Sequence, residues 1–249
     1  MSFTRSNGLV PPTASDVTVV VDRSGSMRSC GSSIKDGVKE MLTKHALMAK
    51  TNPHVPYHLR IVSFDKSMEV IYDGPASNLL DAYGNLNATK LTLICYWLWQ
   101  CRGPTRLIQT LIDELKLQAN RVETILSGFK PELRALNPRV AVSMGVLTDG
   151  QDNIGGDLKV LHALLSRHQE KYQAGCQFVA SNQDAKKTGK AFGFATKLCL
   201  QMDADPEHYR SAMSSLVAST ERTVSGHSAE FSGLERLGSS QTQILQSVE

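Results

Sequence analysis

Val17-Thr18-Val19-Val20-Val21-Asp22-Arg23-Ser24-Gly25-Ser26 sets the frame for the whole chain. A run so continuously apolar and β-branched reads as a strand covered on both faces, as in a parallel sheet. Asp22 stands at its carboxyl end, and small residues carry the loop on to Gly31. Beyond it, Ser32 or Ser33 can cap a helix whose apolar residues Ile34, Val38, Met41, Leu42 and Met48 fall near helical spacing. Leu59–Phe64 and Met68–Tyr72 read as two more strands. The turn between them, Asp65-Lys66-Ser67, is too short for a crossover, so this pair is antiparallel. Asp73-Gly74-Pro75 ends the second of them.

Further along, Leu107, Leu111, Leu115, Val122 and Leu126 form one stripe of a helix over Arg106–Phe129. Ile108, Ile112 and Ala119 lie beside the stripe, and Gly128 and Pro131 stop the helix. Val140–Leu147 is a buried strand running into Thr148-Asp149-Gly150. A helix from about Asp157 to Tyr172, a strand Cys176–Ala180, a short helix near Ala185–Ala191 and a strand near Thr196–Leu200 follow. Pro206 then opens a last helix to about Thr220. In the stretch 76–101, Leu79 and Leu80 suggest a helical turn, and Leu91–Trp99 reads as a strand or a buried loop. Residues 1–15 read as a flexible N-terminal arm, 16–222 as one domain, and 223–249 as a Ser/Gly-rich tail. The tail is expected to be weakly ordered, with Phe231 and Leu234 as residues that dock. Strands alternating with helices give an α/β domain with a mainly parallel sheet covered on both faces. In such sheets ligands sit beyond the carboxyl ends of the strands, where the strand order reverses.

Composition narrows the function classes. The 249 residues are 41% hydrophobic and 20% charged, enough to bury one core of ordinary size. The net charge of +3, without clustering, is too small to imply nucleic acid or an anionic membrane, so no nucleic-acid partner is expected. Five cysteines with no C-x-x-C pair argue against a disulfide framework. Reduced thiols, together with an opening that lacks an apolar secretory core, give cytoplasmic residence as the expectation. No apolar run approaches the roughly 20 residues of a membrane span. The Asn87-Ala88-Thr89 glycosylation sequon is read as chance.

The chemistry belongs after the first and fourth strands. Asp22-Arg23-Ser24-Gly25-Ser26, Thr148-Asp149-Gly150 and Arg102-Gly103-Pro104-Thr105 place two carboxylates and the hydroxyls of Ser24, Ser26 and Thr105 in three loops on one rim. Such a set suits Mg²⁺, a hard ion that takes six oxygens and keeps several waters. Two carboxylates neutralise its charge, and neutral hydroxyls leave it electrophilic toward an incoming carboxylate. Gly25 is read as the residue that lets the loop turn tightly.

The D-x-S-x-S run, the later Thr and the later Asp resemble the metal-ion-dependent adhesion site of von Willebrand factor A-type (VWA) domains. The resemblance implies Ser24, Ser26 and Thr105 as direct ligands, and Asp22 and Asp149 as ligands directly or through water. It implies Mg²⁺, with Mn²⁺ as a substitute, and an Asp or Glu of a partner protein in the open position. It also implies a three-layer, Rossmann-like fold with a six-stranded sheet in the order 3-2-1-4-5-6, strand 3 antiparallel. Phe178-Val179-Ala180-Ser181-Asn182-Gln183-Asp184-Ala185, followed by Gly189 and Gly193, is similar to a stretch found in a group of VWA proteins best known in bacteria. Asp203-Ala204-Asp205, Arg222, Gly226, Phe231, Glu235 and Arg236 fit the same group.

The remaining candidates are weaker. Tyr96, Trp97 and Trp99 precede Thr105 and are candidate partner-binding residues, since aromatics anchor interfaces; the simpler reading has them covering the sheet edge or core. Asp152 and Asp157 are read as caps of the helix that follows them. Arg23, inside the metal loop, has no evident role, and Cys30 reads as an inert thiol. The function expected is a metal-dependent protein-binding module, not an enzyme. The alternatives are a metal-independent structural or assembly protein on the same fold, or a Mg²⁺-dependent phosphohydrolase. The second lacks its general acid/base, because Ser24 stands at the second acidic position and the three loops hold no His or Lys.

Overall fold

The computed structural model describes residues 12–30, 33–98, 103–149, 152, 154–181 and 184–240. β1 (Ala14–Asp22) runs through the centre of a sheet that also holds β2 (Tyr57–Phe64), β3 (Met68–Pro75), β4 (Val140–Thr148), β5 (Gly175–Ala180) and β6 (Cys199–Gln201). Its order is β3-β2-β1-β4-β5-β6. All neighbours are parallel except β2 and β3. The order runs outward from β1 through β2 to β3 on one side and from β4 through β5 to β6 on the other, so it reverses between β1 and β4. The carboxyl ends of β1 and β4 therefore open at the switch point, where crossovers leave to opposite sides.

Helices cover both faces: α1 (Ser33–Thr51), α2 (Ala88–Leu98), α3 (Leu107–Gly128), α4 (Pro131–Ala135), α5 (Leu158–Tyr172), α6 (Ala185–Phe192), α7 (Pro206–Val224) and α8 (Gly233–Ser239). The alternation along β1 divides the core in two. Val17, Val19 and Val21 pack under α1, α2 and α7 with Leu42, Ile94 and Met213. Val20 faces the other way, among Leu111 and Leu115 of α3 and Leu161 and Leu165 of α5. No helix among the described residues is long and apolar enough to cross a membrane.

Leu91–Trp99, read as a strand or buried loop, is helical through Leu98; Trp99 lies outside the described residues. The run is apolar on every side, so its period is hidden. Among the described side chains of the run, Leu91, Ile94 and Cys95 are buried, at helical spacing, while Leu93 and Tyr96 are 58% and 60% exposed. The Asn87 side chain starts the helix by accepting from the Lys90 N–H at 3.0 Å, so the apparent sequon is a cap.

The segment after Thr223 also differs from expectation. α7 continues to Val224, Gly226 turns the chain at φ +79°, and Phe231 is buried against the core. Ser232 and Glu235 form a capping box that starts α8. Arg222 grips both oxygens of Glu235 at 2.9 and 3.0 Å. Arg236 donates to the carbonyls of Cys199 and Lys197, and the Asp203 N–H donates to the Ser239 carbonyl. This segment therefore covers the β6 edge, which would otherwise offer unpaired backbone groups. Leu234 does not dock; it is 82% exposed.

Candidate metal centre

The site is built where β1 and β4 end side by side. Val21 lies opposite Leu147, so Asp22 and Thr148 leave the sheet together. Thr148 Oγ1 donates to Asp22 Oδ2 at 2.6 Å, and the Ser24 N–H donates to Asp22 Oδ1 at 2.7 Å. Both Asp22 oxygens are thus fixed before any ligand arrives. From Gly25 to Cys30 the loop winds into a 3-10 turn. This brings Ser24 Oγ within 3.0 Å of Ser26 Oγ, and Ser26 Oγ donates to Asp149 Oδ1 at 2.8 Å. A continuous line of hydrogen bonds, through the Ser24 N–H and the Ser24 and Ser26 hydroxyls, runs from Asp22 to Asp149. Asp22, Ser24, Thr105 and Asp149 are buried, and Ser26 is exposed, which makes it the mouth of the site.

The third loop closes against the first. The Gly25 N–H donates to the Gly103 carbonyl at 3.3 Å. Gly25 makes its turn without a left-handed backbone, and a Cβ on it would meet only the Gly103 carbonyl at 3.9 Å. The glycine with the demanding backbone is Gly103, at φ +71°. Thr105 follows it and is buried before α3 begins.

Electrostatics set the character of the centre. Burial pushes the Asp22 carboxyl up to about 6, and the nearby Asp149 carboxylate adds to the rise; the bonds from Thr148 and Ser24 oppose it. Burial pushes the Asp149 carboxyl up as well. Two carboxyls that resist ionisation beside each other, with hydroxyls turned toward them, fit a hard divalent cation, because the cation supplies the charge that burial withholds. The donors are all oxygen, which suits a hard divalent cation.

Other expectations are redistributed. Arg23 is buried and turned into the β2–β3 hairpin, where Asp65 and Glu69 meet it. Asp157 caps α5 by accepting from the N–H groups of Lys159 and Val160. Asp152 caps a different helix from the one expected: it accepts from the Ile108 N–H at 3.1 Å, in the first turn of α3, whose own N-cap Arg106 provides no side-chain bond. It thereby ties the loop after β4 to the helix after Thr105. Tyr96 is exposed on α2; the side chain of Trp97 and all of Trp99 lie outside the described residues, as do Asn182 and Gln183 and the side chain of Cys30. The described parts of the second motif have structural work. Asp184 caps α6, and Gly193 ends it at φ +103°. A Cβ on Gly189 would stand 2.4 Å from Cys199 Sγ.

Thr148 and Asp65 were missed as site-forming residues. The hydroxyl of T-D-G was a visible signal for the first; nothing local marks the second.

No family model and no curated protein sequence matches the chain. Solved structures do. Proximal thread matrix protein 1 from the mussel byssus, in its second crystal form, superposes over 86% of this chain and 48% of its own with a TM-score of 0.56 at 14% identity. The same mussel protein with a zinc-occupied MIDAS motif gives 0.55 at 16% identity, over the same shares. The pilus adhesin SpaC of Lactobacillus rhamnosus GG, in its open conformation, gives 0.52 at 14% identity, over 86% of this chain and 30% of that one. The chain thus spans about half the length of the mussel protein or less than a third of the adhesin. Likeness at this identity speaks for the fold alone. With the sheet order and the single antiparallel strand, it assigns the chain the von Willebrand factor A-type fold.

Proposed function

We propose that this protein is a metal-dependent protein-binding module, in which Asp22, Ser24, Ser26, Thr105 and Asp149 hold Mg²⁺ (or Mn²⁺). The observation that carries this reading is the hydrogen-bonded line from Asp22 through the Ser24 N–H and the Ser24 and Ser26 hydroxyls to Asp149, ending in two carboxyls that burial pushes up. Bound there, the cation supplies an open coordination position for an Asp or Glu carboxylate of a partner protein.

The residues divide the work. Thr148 and the Ser24 N–H orient Asp22, so its carboxylate need not reorganise on loading. The hydroxyls of Ser24 and Ser26 add donors without adding negative charge, which keeps the centre attractive to an acidic side chain. Ser26 is the exposed member and marks the approach. The sequence likeness to the bacterial-type group belongs to this reading, and so does Tyr96, exposed on α2, as a side chain that a partner would meet. Cytoplasmic residence belongs to it too: Cys95, Cys176 and Cys199 are free and buried, and burial pushes the thiols of Cys176 and Cys199 up to about 12, leaving them inert.

A peptide array with one Asp or Glu in each member, beside the same array with Asn or Gln, tests this. Retention of acidic peptides in Mg²⁺, abolished by EDTA and by Asp149→Ala, is the expected result. Retention that ignores EDTA would replace this reading with metal-independent assembly.

A further inference from the structure

Arg23 heads the large side chains that the fold buries completely, and the metal reading gives it no ligand role. A guanidinium keeps its charge and carries five N–H donors, so burying it demands fixed acidic partners. The β2–β3 hairpin supplies them. Glu69 meets the fork with both oxygens, Nη1 to Oε2 at 2.8 Å and Nη2 to Oε1 at 2.7 Å. Asp65, buried in the turn, stands 3.2 Å from Nε. The Arg23 N–H also donates to the Phe64 carbonyl at 2.9 Å, so its main chain and side chain are both tied to the hairpin.

The same turn holds the third loop. The Asp65 carbonyl accepts from the N–H of Arg106, the residue after Thr105, at 2.9 Å. A Cβ on Gly103 would stand 3.9 Å from the backbone nitrogen and side-chain carbons of Lys66. Asp65 is itself set by Ser67, whose N–H and hydroxyl reach Oδ1 at 2.9 and 3.2 Å. A hairpin that offers no ligand therefore touches both loops that carry the hydroxyls.

We propose that Arg23, through Asp65 and Glu69, is a positioning residue that fixes Ser24 and Ser26 relative to Thr105 for the cation. This rests on the metal-binding reading of the site. Charge alone works in the opposite direction. Arg23 puts a positive charge beside a cation site, so its removal should strengthen cation binding if Coulomb repulsion were its only influence. A positioning role weakens binding on removal. The two explanations differ in sign.

The test compares the wild type with Arg23→Lys, Glu69→Gln and the double variant Arg23→Met/Glu69→Gln, which leaves net charge unchanged. Calorimetric titration with Mn²⁺ should show affinity at least about tenfold weaker in the double variant, as for other residues that orient metal ligands, and an intermediate loss in Arg23→Lys, which keeps the charge but not the fork. Affinity in the double variant equal to or above wild type would overturn the proposal. Amide hydrogen exchange on the metal-free proteins is the second readout. Faster exchange is expected in both 23–27 and 103–106; exchange unchanged in 103–106 would overturn the proposal. Because this readout needs no metal, a wild type that binds no cation defeats the metal reading separately, and the exchange result still decides the positioning claim. If the double variant does not fold, Glu69→Gln carries the exchange test, since the Glu69 side chain is already 34% exposed.

Discussion

Asp22→Asn should make the metal-free protein more stable at neutral pH, although it removes a carboxylate proposed to hold the cation. The folded-state carboxyl titrates near about 6, against 3.8 for the ordinary value. Folding therefore favours the protonated acid. The stability contributed is fully present below 3.8 and is lost as pH rises through about 6. A shift of this size corresponds to about 3 kcal/mol. Asparagine keeps the shape and an acceptor for the Ser24 N–H, and it does not titrate. In EDTA, urea-unfolding free energies of wild type and Asp22→Asn should nearly coincide at pH 4 and separate to about 3 kcal/mol by pH 7.5, the variant being the more stable. Mg²⁺ should close the gap by stabilising only the wild type. Parallel pH profiles would show that Asp22 does not carry the electrostatic cost assigned to it.

Glu114→Ala should be the more damaging change, and it should leave the metal centre alone. Glu114 lies buried on α3 and accepts from Arg60 Nε at 2.7 Å and Nη2 at 2.9 Å. Arg60 sits beside Thr18 in the sheet, four residues before Phe64, the partner of Asp22. Truncation leaves a largely buried guanidinium with only the half-exposed Asp73. Removing one partner of a buried ion pair costs about 3–5 kcal/mol, and the surviving Asp73 contact places this case at the lower end. Urea unfolding reads the loss directly. Mg²⁺ affinity of the folded fraction should stay within about twofold of wild type, since distant sites act independently. A loss below about 1 kcal/mol would mean that Arg60 finds solvent or another partner when Glu114 is gone.

The sheet was legible because its strands announce themselves. Val17–Val21, Leu59–Phe64 and Val140–Leu147 are apolar runs bounded by polar turns, and the short Asp65-Lys66-Ser67 turn forces the one antiparallel pair. α2 was not legible as a helix, because Leu91–Trp99 is apolar at nearly every position and burial, not sequence, selects the face. Nor was the ordered segment after Thr223. Its order comes from Arg222 on Glu235 and Arg236 on backbone carbonyls, contacts that no local period encodes. The same division holds at the site. That Asp22, Ser24, Ser26 and Asp149 come together was legible because each lies in a loop directly after a strand whose neighbours were already placed; their hold on a cation is the proposal. The partner of Arg23 could not be named, since Glu69 lies on another strand, 46 residues on. Asp152 was misassigned for a related reason: its helix is α3, which precedes it in the chain, while proximity in sequence pointed to α5.

Everything proposed for this rim depends on these side chains binding a divalent cation. Calorimetric titration of EDTA-stripped protein with Mg²⁺ and Mn²⁺, beside Asp22→Ala, tests it most directly. One site is expected in the wild type and none in the variant. Absence of binding by the wild type at millimolar metal, or binding that survives Asp22→Ala, would contradict it.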